Sequence, residues 1–189
     1  MSSTAILEIP EVRQRVQRWS VGDYERFVEE GIFGKNSELI RGLVFKKVSE
    51  SPLHFSLSQR LYDRIKLLLP SGCIARHEGP LRLKDSVPEP DVAVVLGEPS
   101  DFASQHPTTA ELVIEVAVSS LALDRANASL YAENGVKEYW IVLAGQRSVE
   151  VYRDPVDGVY REKTVHAGEE EIVCASVPQI RLRIDSLFA

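Results

Sequence analysis

Two short runs constrain this chain more than any other feature: Asp91-Val92-Ala93-Val94-Val95-Leu96 and Leu112-Val113-Ile114-Glu115-Val116. Both are too apolar to be edge strands, so they belong at the centre of a sheet that is covered on its two faces. Each also carries an acid. Alternation sets Asp91 on the face of Ala93 and Val95, at the mouth of the first run, while Glu115 stands inside the second among apolar neighbours. An isolated buried carboxylate is prohibitively costly, so Glu115 must be paired or metal-bound. One solution is a hard divalent cation, Mg²⁺ or Mn²⁺, between two acids on neighbouring strands. The other pairs Glu115 with an arginine or a helix N-terminus and leaves Asp91 to cap a turn.

The flanking sequence supplies the rest of a mixed sheet. Ser20, with Asp23 after it, opens a helix near 21–30, and Glu38-Leu39-Ile40, Arg41-Gly42 and Leu43-Val44-Phe45 read as a hairpin running on to Val48. From Pro52, the spacing of Leu53, Leu57, Leu61, Ile65 and Leu68 predicts a long amphipathic helix that stops at Pro70-Ser71-Gly72. Short strands are expected at Cys73 to Arg76 and Leu81 to Lys84. A helix over Asp124 to Glu133, closed by Asn134-Gly135, runs straight into a strand at Tyr139 to Leu143. Strand, helix and strand in that compass make a crossover between parallel strands. Ser148 to Arg153, Val159 to Thr164 and Glu171 to Cys174 follow as antiparallel strands around Asp-Gly and Ala-Gly turns. The expected fold is α/β or α+β, a mixed sheet flanked by helices. One domain over 19–189 follows a flexible tail over 1–18.

Composition narrows the partners. The net charge of −6 argues against a protein that coats nucleic acid nonspecifically. The sum hides an asymmetry: residues 41–84 carry nine basic and three acidic side chains, whereas residues 85–189 carry eight and eighteen. The basic segment is either a phosphate-facing surface or a solvated face. No apolar stretch approaches the roughly 20 residues of a membrane span, and the N-terminus lacks a signal-like run, so the expected location is the cytoplasm. Cys73 and Cys174 lie far apart, without metal-ligand spacing, and read as buried, inert thiols.

The order of motifs carries a resemblance. Glu38-Leu39-Ile40 with Gly42, His54 opening a helix, Pro88-Glu89-Pro90-Asp91-Val92, Leu112-Val113-Ile114-Glu115-Val116, Ser119-Ser120, Asp124-Arg125, Tyr131-Ala132, Gly135-Val136 and Glu138-Tyr139-Trp140-Ile141-Val142 follow one another from about residue 20 to the C-terminus. The chain resembles the Uma-type putative restriction endonucleases, a bacterial group of the PD-(D/E)XK nuclease superfamily. The resemblance implies a restriction-endonuclease-like fold and metal-dependent hydrolysis of DNA phosphodiester bonds, with a homodimer as a possible assembly. It makes Asp91 and Glu115 the metal ligands, Glu38 an additional acid and the carbonyl of Val116 a further ligand.

One element of the pattern is missing. The superfamily lysine normally lies two residues after the glutamate, where this chain has Ala117, or, in this family, on the next helix one turn before the tyrosine, where it has Asn127. An amide cannot supply that positive charge. Arg125 and Lys84 are the substitutes to examine. The rival expectation is a catalytically silent nuclease fold that binds nucleic acid or protein. His54 reads as a first-turn polar contact near the site. Tyr139 and Trp140 read as core or dimer surface, and Tyr131 as a packing residue with its hydroxyl near the acids.

Overall fold

The two apolar runs become adjacent central strands. A computed structural model of the chain describes residues 9–34, 36–47 and 51–189. Its six-stranded sheet runs β3 (Cys73–His77), β4 (Val92–Leu96), β5 (Leu112–Ala117), β6 (Glu138–Leu143), β7 (Ser148–Val156) and β8 (Val159–Ala167). All neighbours are antiparallel except β5 and β6, which are parallel and joined by helix α4 (Leu121–Glu133), as the crossover pattern requires. The chain thus folds as the expected mixed sheet flanked by helices.

Each sheet face buries its own helix. Helix α3 (Pro52–Leu68) lays the stripe Leu57, Leu61 and Ile65 on Val92, Val94, Ile114, Val116, Trp140 and Val142. Fully burying each of these aliphatic side chains contributes roughly 2 kcal/mol. The opposite face, with Ala93, Val95, Val113, Tyr139 and Ile141, packs against Leu130 and Tyr131 of α4. Tyr139 and Trp140 are both fully buried, so they belong to the core. Glu115 shares the α4 side with Val113 and Ala117, as strand alternation demands.

Smaller elements frame one end of this sheet. Helix α1 (Pro10–Arg13) is a single turn, and helix α2 (Val21–Glu29) is capped by Ser20, whose hydroxyl oxygen accepts from the Asp23 amide. Strands β1 (Ser37–Ile40) and β2 (Leu43–Lys46) form the expected hairpin; Val48 lies outside the described residues, as do 1–8 of the expected tail. The hairpin is tied to the domain through a bridge between Leu39 and Val87. Its turn uses positive φ at Arg41 (50°) and Gly42 (76°).

Three expectations need correction. Leu81 to Lys84 is not a strand, although Leu81 and Leu83 are buried; Pro80, Pro88 and Pro90 remove ladder donors around it, and its amides bond to turns and loops. The helix before Tyr139 starts at Leu121, earlier than Asp124. Finally, β9 (Glu171–Val173) leaves the main sheet to pair with β10 (Arg181–Arg183), ahead of helix α5 (Ile184–Leu187). Among the described residues no helix is long and apolar enough to cross a membrane.

Candidate active site

Register brings the two strand acids together. The β4–β5 ladder pairs Val92 with Ile114 and Ala93 with Val113, so the next step sets Asp91 across from Glu115. Reciprocal hydrogen bonds lock that pairing: the Val116 amide donates to Asp91 Oδ2 (2.6 Å), and the Asp91 amide donates to Glu115 Oε2 (3.3 Å). Asp91 immediately precedes β4, after Pro90, so its side chain lies at the sheet's end.

Each acid is also held from a helix. The Ser51 hydroxyl accepts from the His54 amide and caps α3, which fixes His54 in the first turn. There its Nε2 lies 3.2 Å from Asp91 Oδ2. From α4, the Tyr131 hydroxyl donates to Glu115 Oε1 at 2.8 Å. Asp124, one turn into the same helix, accepts from the Ser120 hydroxyl at 2.6 Å. The hairpin contributes the third expected acid: Glu38 Oε1 accepts from the Glu89 amide (3.0 Å) and lies 4.0 Å from Lys47 Nζ.

All of these but the buried Tyr131 line one cleft of about 250 Å³, together with Val116 and Asn127. A larger cavity of about 490 Å³, bordered by Tyr24, Arg82 and His106, shares only Glu89 with it. The cleft is electrostatically overloaded. Burial, reinforced by the charges of Asp91 and Asp124, holds the Glu115 carboxyl well above its ordinary range. Burial also raises Glu38, against the Glu89 amide and Lys47. Asp124 is pushed up to about 6 by burial and the charge of Asp91, although the Ser120 hydroxyl and His54 oppose the shift.

An all-oxygen donor set in which Glu115 and Glu38 resist ionisation is the chemistry that suits a hard divalent cation. Among the described residues, no group of three or more His, Cys, Asp or Glu stands in an arrangement that could hold a metal ion. The fit therefore rests on donor chemistry and charge, and not on a preformed coordination shell.

The basic segment does not border this cleft as a phosphate-facing surface would. Of its nine cations only Lys47 lines it. Arg60 donates to the carbonyls of Leu187 and Ala189, Arg64 to the Ser186 hydroxyl (2.5 Å), Arg41 to Glu133 and Arg82 to Glu25. Neither suggested substitute lies among the lining residues. Arg125 Nη2 is 2.5 Å from Glu150, and the Lys84 amide is turned to Asn134. Sequence reasoning gave no site role to three charged lining residues. Asp124 left a trace in its spacing from Ser120, Glu89 was passed over within Pro88-Glu89-Pro90, and Lys47 was only one of nine cations in the basic segment, since hairpin register alone separates it from Lys46.

Comparison with known proteins agrees with the fold. A solved structure from Anabaena variabilis, described as a putative nuclease belonging to DUF820, superposes with a TM-score of 0.75 at 18% identity, covering 89% of this chain and 97% of that one. No curated protein matches the chain. The family model for Uma2, described as putative restriction endonuclease, matches residues 23–185, and the chain belongs to that family.

Proposed function

We propose that this chain is a divalent-metal-dependent endonuclease that hydrolyses phosphodiester bonds of DNA. Asp91, Glu115 and Glu38 would hold Mg²⁺ or Mn²⁺, with the Val116 carbonyl as a further ligand. The observation that carries the reading is the reciprocal locking of Asp91 and Glu115 at the end of the sheet, in a cleft where Glu38 and Asp124 also resist ionisation. A bound ion supplies an acidified water and offsets charge on the pentacovalent transition state. The protein's own contribution is preorganisation. The Val116 amide and His54 orient Asp91, and the Tyr131 hydroxyl and Asp91 amide orient Glu115, so neither acid has to be ordered when substrate arrives.

Asn127 supports a second reading, a silent nuclease fold that binds nucleic acid without cutting it, because it lines the cleft without charge. A cleavage assay on plasmid and single-stranded DNA with Mg²⁺ or Mn²⁺ separates the two. Metal-dependent cutting is expected, and Asp91→Ala should abolish it. Cutting that survives in Asp91→Ala would reject the site, and DNA that is bound but left intact would select the silent module.

A further inference from the structure

The cleft is lined by five carboxylates, Glu38, Glu89, Asp91, Glu115 and Asp124, and, among the described residues, by a single Lys or Arg, Lys47. A phosphodiester entering it meets net negative charge, which a divalent ion alone offsets only in part. The position where the family pattern has lysine is occupied by neutral Asn127, and Arg125 is engaged by Glu150. The hairpin solves this geometrically. Glu38 lies opposite Phe45, so Lys47, two residues on, projects from the same side as Glu38. Its Nζ lies 2.8 Å from Glu89 Oε2 and 4.0 Å from Glu38 Oε1, on a side chain that keeps 25% of its surface exposed.

We propose that Lys47 supplies, from the hairpin, the positive charge that position 127 lacks. It rests on Glu89 in the free protein and turns to a non-bridging oxygen of the scissile phosphate when nucleic acid fills the cleft. The exchange swaps one anionic partner for another, and the flexible four-carbon stem makes it cheap. The inference rests on the nuclease reading and deepens it by naming the group that contacts the substrate's phosphate.

The test uses the full chain and its Lys47→Gln, Lys47→Arg, Glu89→Gln and Lys47→Gln/Asn127→Lys variants, with melting temperatures recorded for each. Plasmid cleavage is followed in Mn²⁺, and binding of a labelled DNA oligonucleotide is followed in Ca²⁺ across a salt series. Lys47→Gln should slow cleavage by ~100-fold, the usual effect of removing a group aimed at developing charge. It should also flatten the dependence of log affinity on log salt by about 0.7–0.9, the signature of one lost phosphate contact. Lys47→Arg should retain most activity, and Asn127→Lys should restore what Lys47→Gln loses. Glu89→Gln, which removes the anionic partner nearest to Lys47, should cut at least as well as the parent. A merely structural ion pair predicts the reverse, with Glu89→Gln failing alongside Lys47→Gln at an unchanged salt slope, and that result overturns the proposal. So does a parent that cuts or binds DNA no better than Lys47→Gln. If the parent binds without cutting, the salt slope alone decides. A parent that neither cuts nor binds DNA rejects the nuclease reading itself, and the role of Lys47 with it.

Discussion

Asp124 shows at the scale of a single residue how a site is maintained at the expense of stability. Its carboxyl is raised to about 6, chiefly by burial and next by the neighbouring charge of Asp91, so the folded state prefers it protonated. The linkage has a definite sign. Stability that is fully present below the ordinary aspartate value is lost as pH rises through about 6, because ionising the buried group then opposes folding. Asn accepts the Ser120 hydroxyl bond equally well but has no charge to desolvate. Asp124→Asn should therefore melt at a higher temperature than the parent at about pH 8 in chelator, with the difference closing towards about pH 4. Added Mn²⁺ should narrow the gap at the higher pH by stabilising the parent. A variant that melts below the parent at both pH values would show that Asp124 contributes a structural bond and no electrostatic cost.

At the scale of elements, the β1–β2 hairpin is the separate arm of the site, since Glu38 lies on one strand and Lys47 follows the other. Its turn is held by the Gly42 amide to the Asp85 carbonyl (2.9 Å), the Trp19 amide to the Gly42 carbonyl (2.9 Å), the Arg41 amide to the Ser86 hydroxyl (2.7 Å) and the Arg41–Glu133 ion pair, and its first strand by the Leu39–Val87 bridge. Gly42 is the weak point. Its φ of 76° is strained for an L side chain, and an added Cβ would lie 2.6 Å from Arg18 Cβ and 3.1 Å from the Trp19 carbonyl oxygen. Gly42→Ala should cost about 1–2 kcal/mol in urea unfolding. It should also lower cleavage more than the unfolded fraction explains, because both charged groups are displaced. An unchanged urea midpoint would mean that the hairpin is not anchored through this turn.

Across the whole molecule, buried carboxylates far from the cleft hold the sheet's second half. Burial alone would raise Glu150, but hydrogen bonds from Arg125, Tyr152 and Lys163 outweigh it and pull the carboxyl down to about 2. These bonds join α4, β7 and β8. A depressed carboxylate contributes stability above its ordinary value and loses it as pH falls towards about 2. The melting temperature of Glu150→Gln should thus lie below the parent's at about pH 6, with the difference vanishing near pH 2. A difference that stays constant with pH would assign the loss to shape and not to charge. Glu138 plays a comparable part, accepting from Trp140 Nε1 (2.8 Å), Arg153 Nε (2.8 Å) and the Ala175 amide (2.7 Å).

Local physics made much of this protein legible from its sequence. Periodicity and punctuation located α3, the hairpin and the β5–α4–β6 crossover, because each rests on contacts within a short stretch of chain. The apolar runs also required that Asp91 and Glu115 be compensated. The resemblance named His54, Tyr131 and Glu38 as neighbours of the site, but their bonds were not legible, since they join residues distant in sequence. His54 reaches Asp91 through the cap of α3 and Tyr131 reaches Glu115 from α4, while Lys47 and the further acid Glu38 come from a hairpin tied in where Leu39 meets Val87. Leu81 to Lys84 misled for the same reason: alternation records burial, but only the surrounding prolines and partners decide whether a ladder forms. The charge of the 41–84 segment misled because charge along a chain says nothing of direction. The folded backbone turned Arg41, Arg60, Arg64 and Arg82 to partners of their own and left Lys47 facing the acids. The sequence by itself thus determined the elements and the need for a charged site at the sheet's end. Only tertiary structure decided which side chains meet there, because the distances that set electrostatics are set by packing.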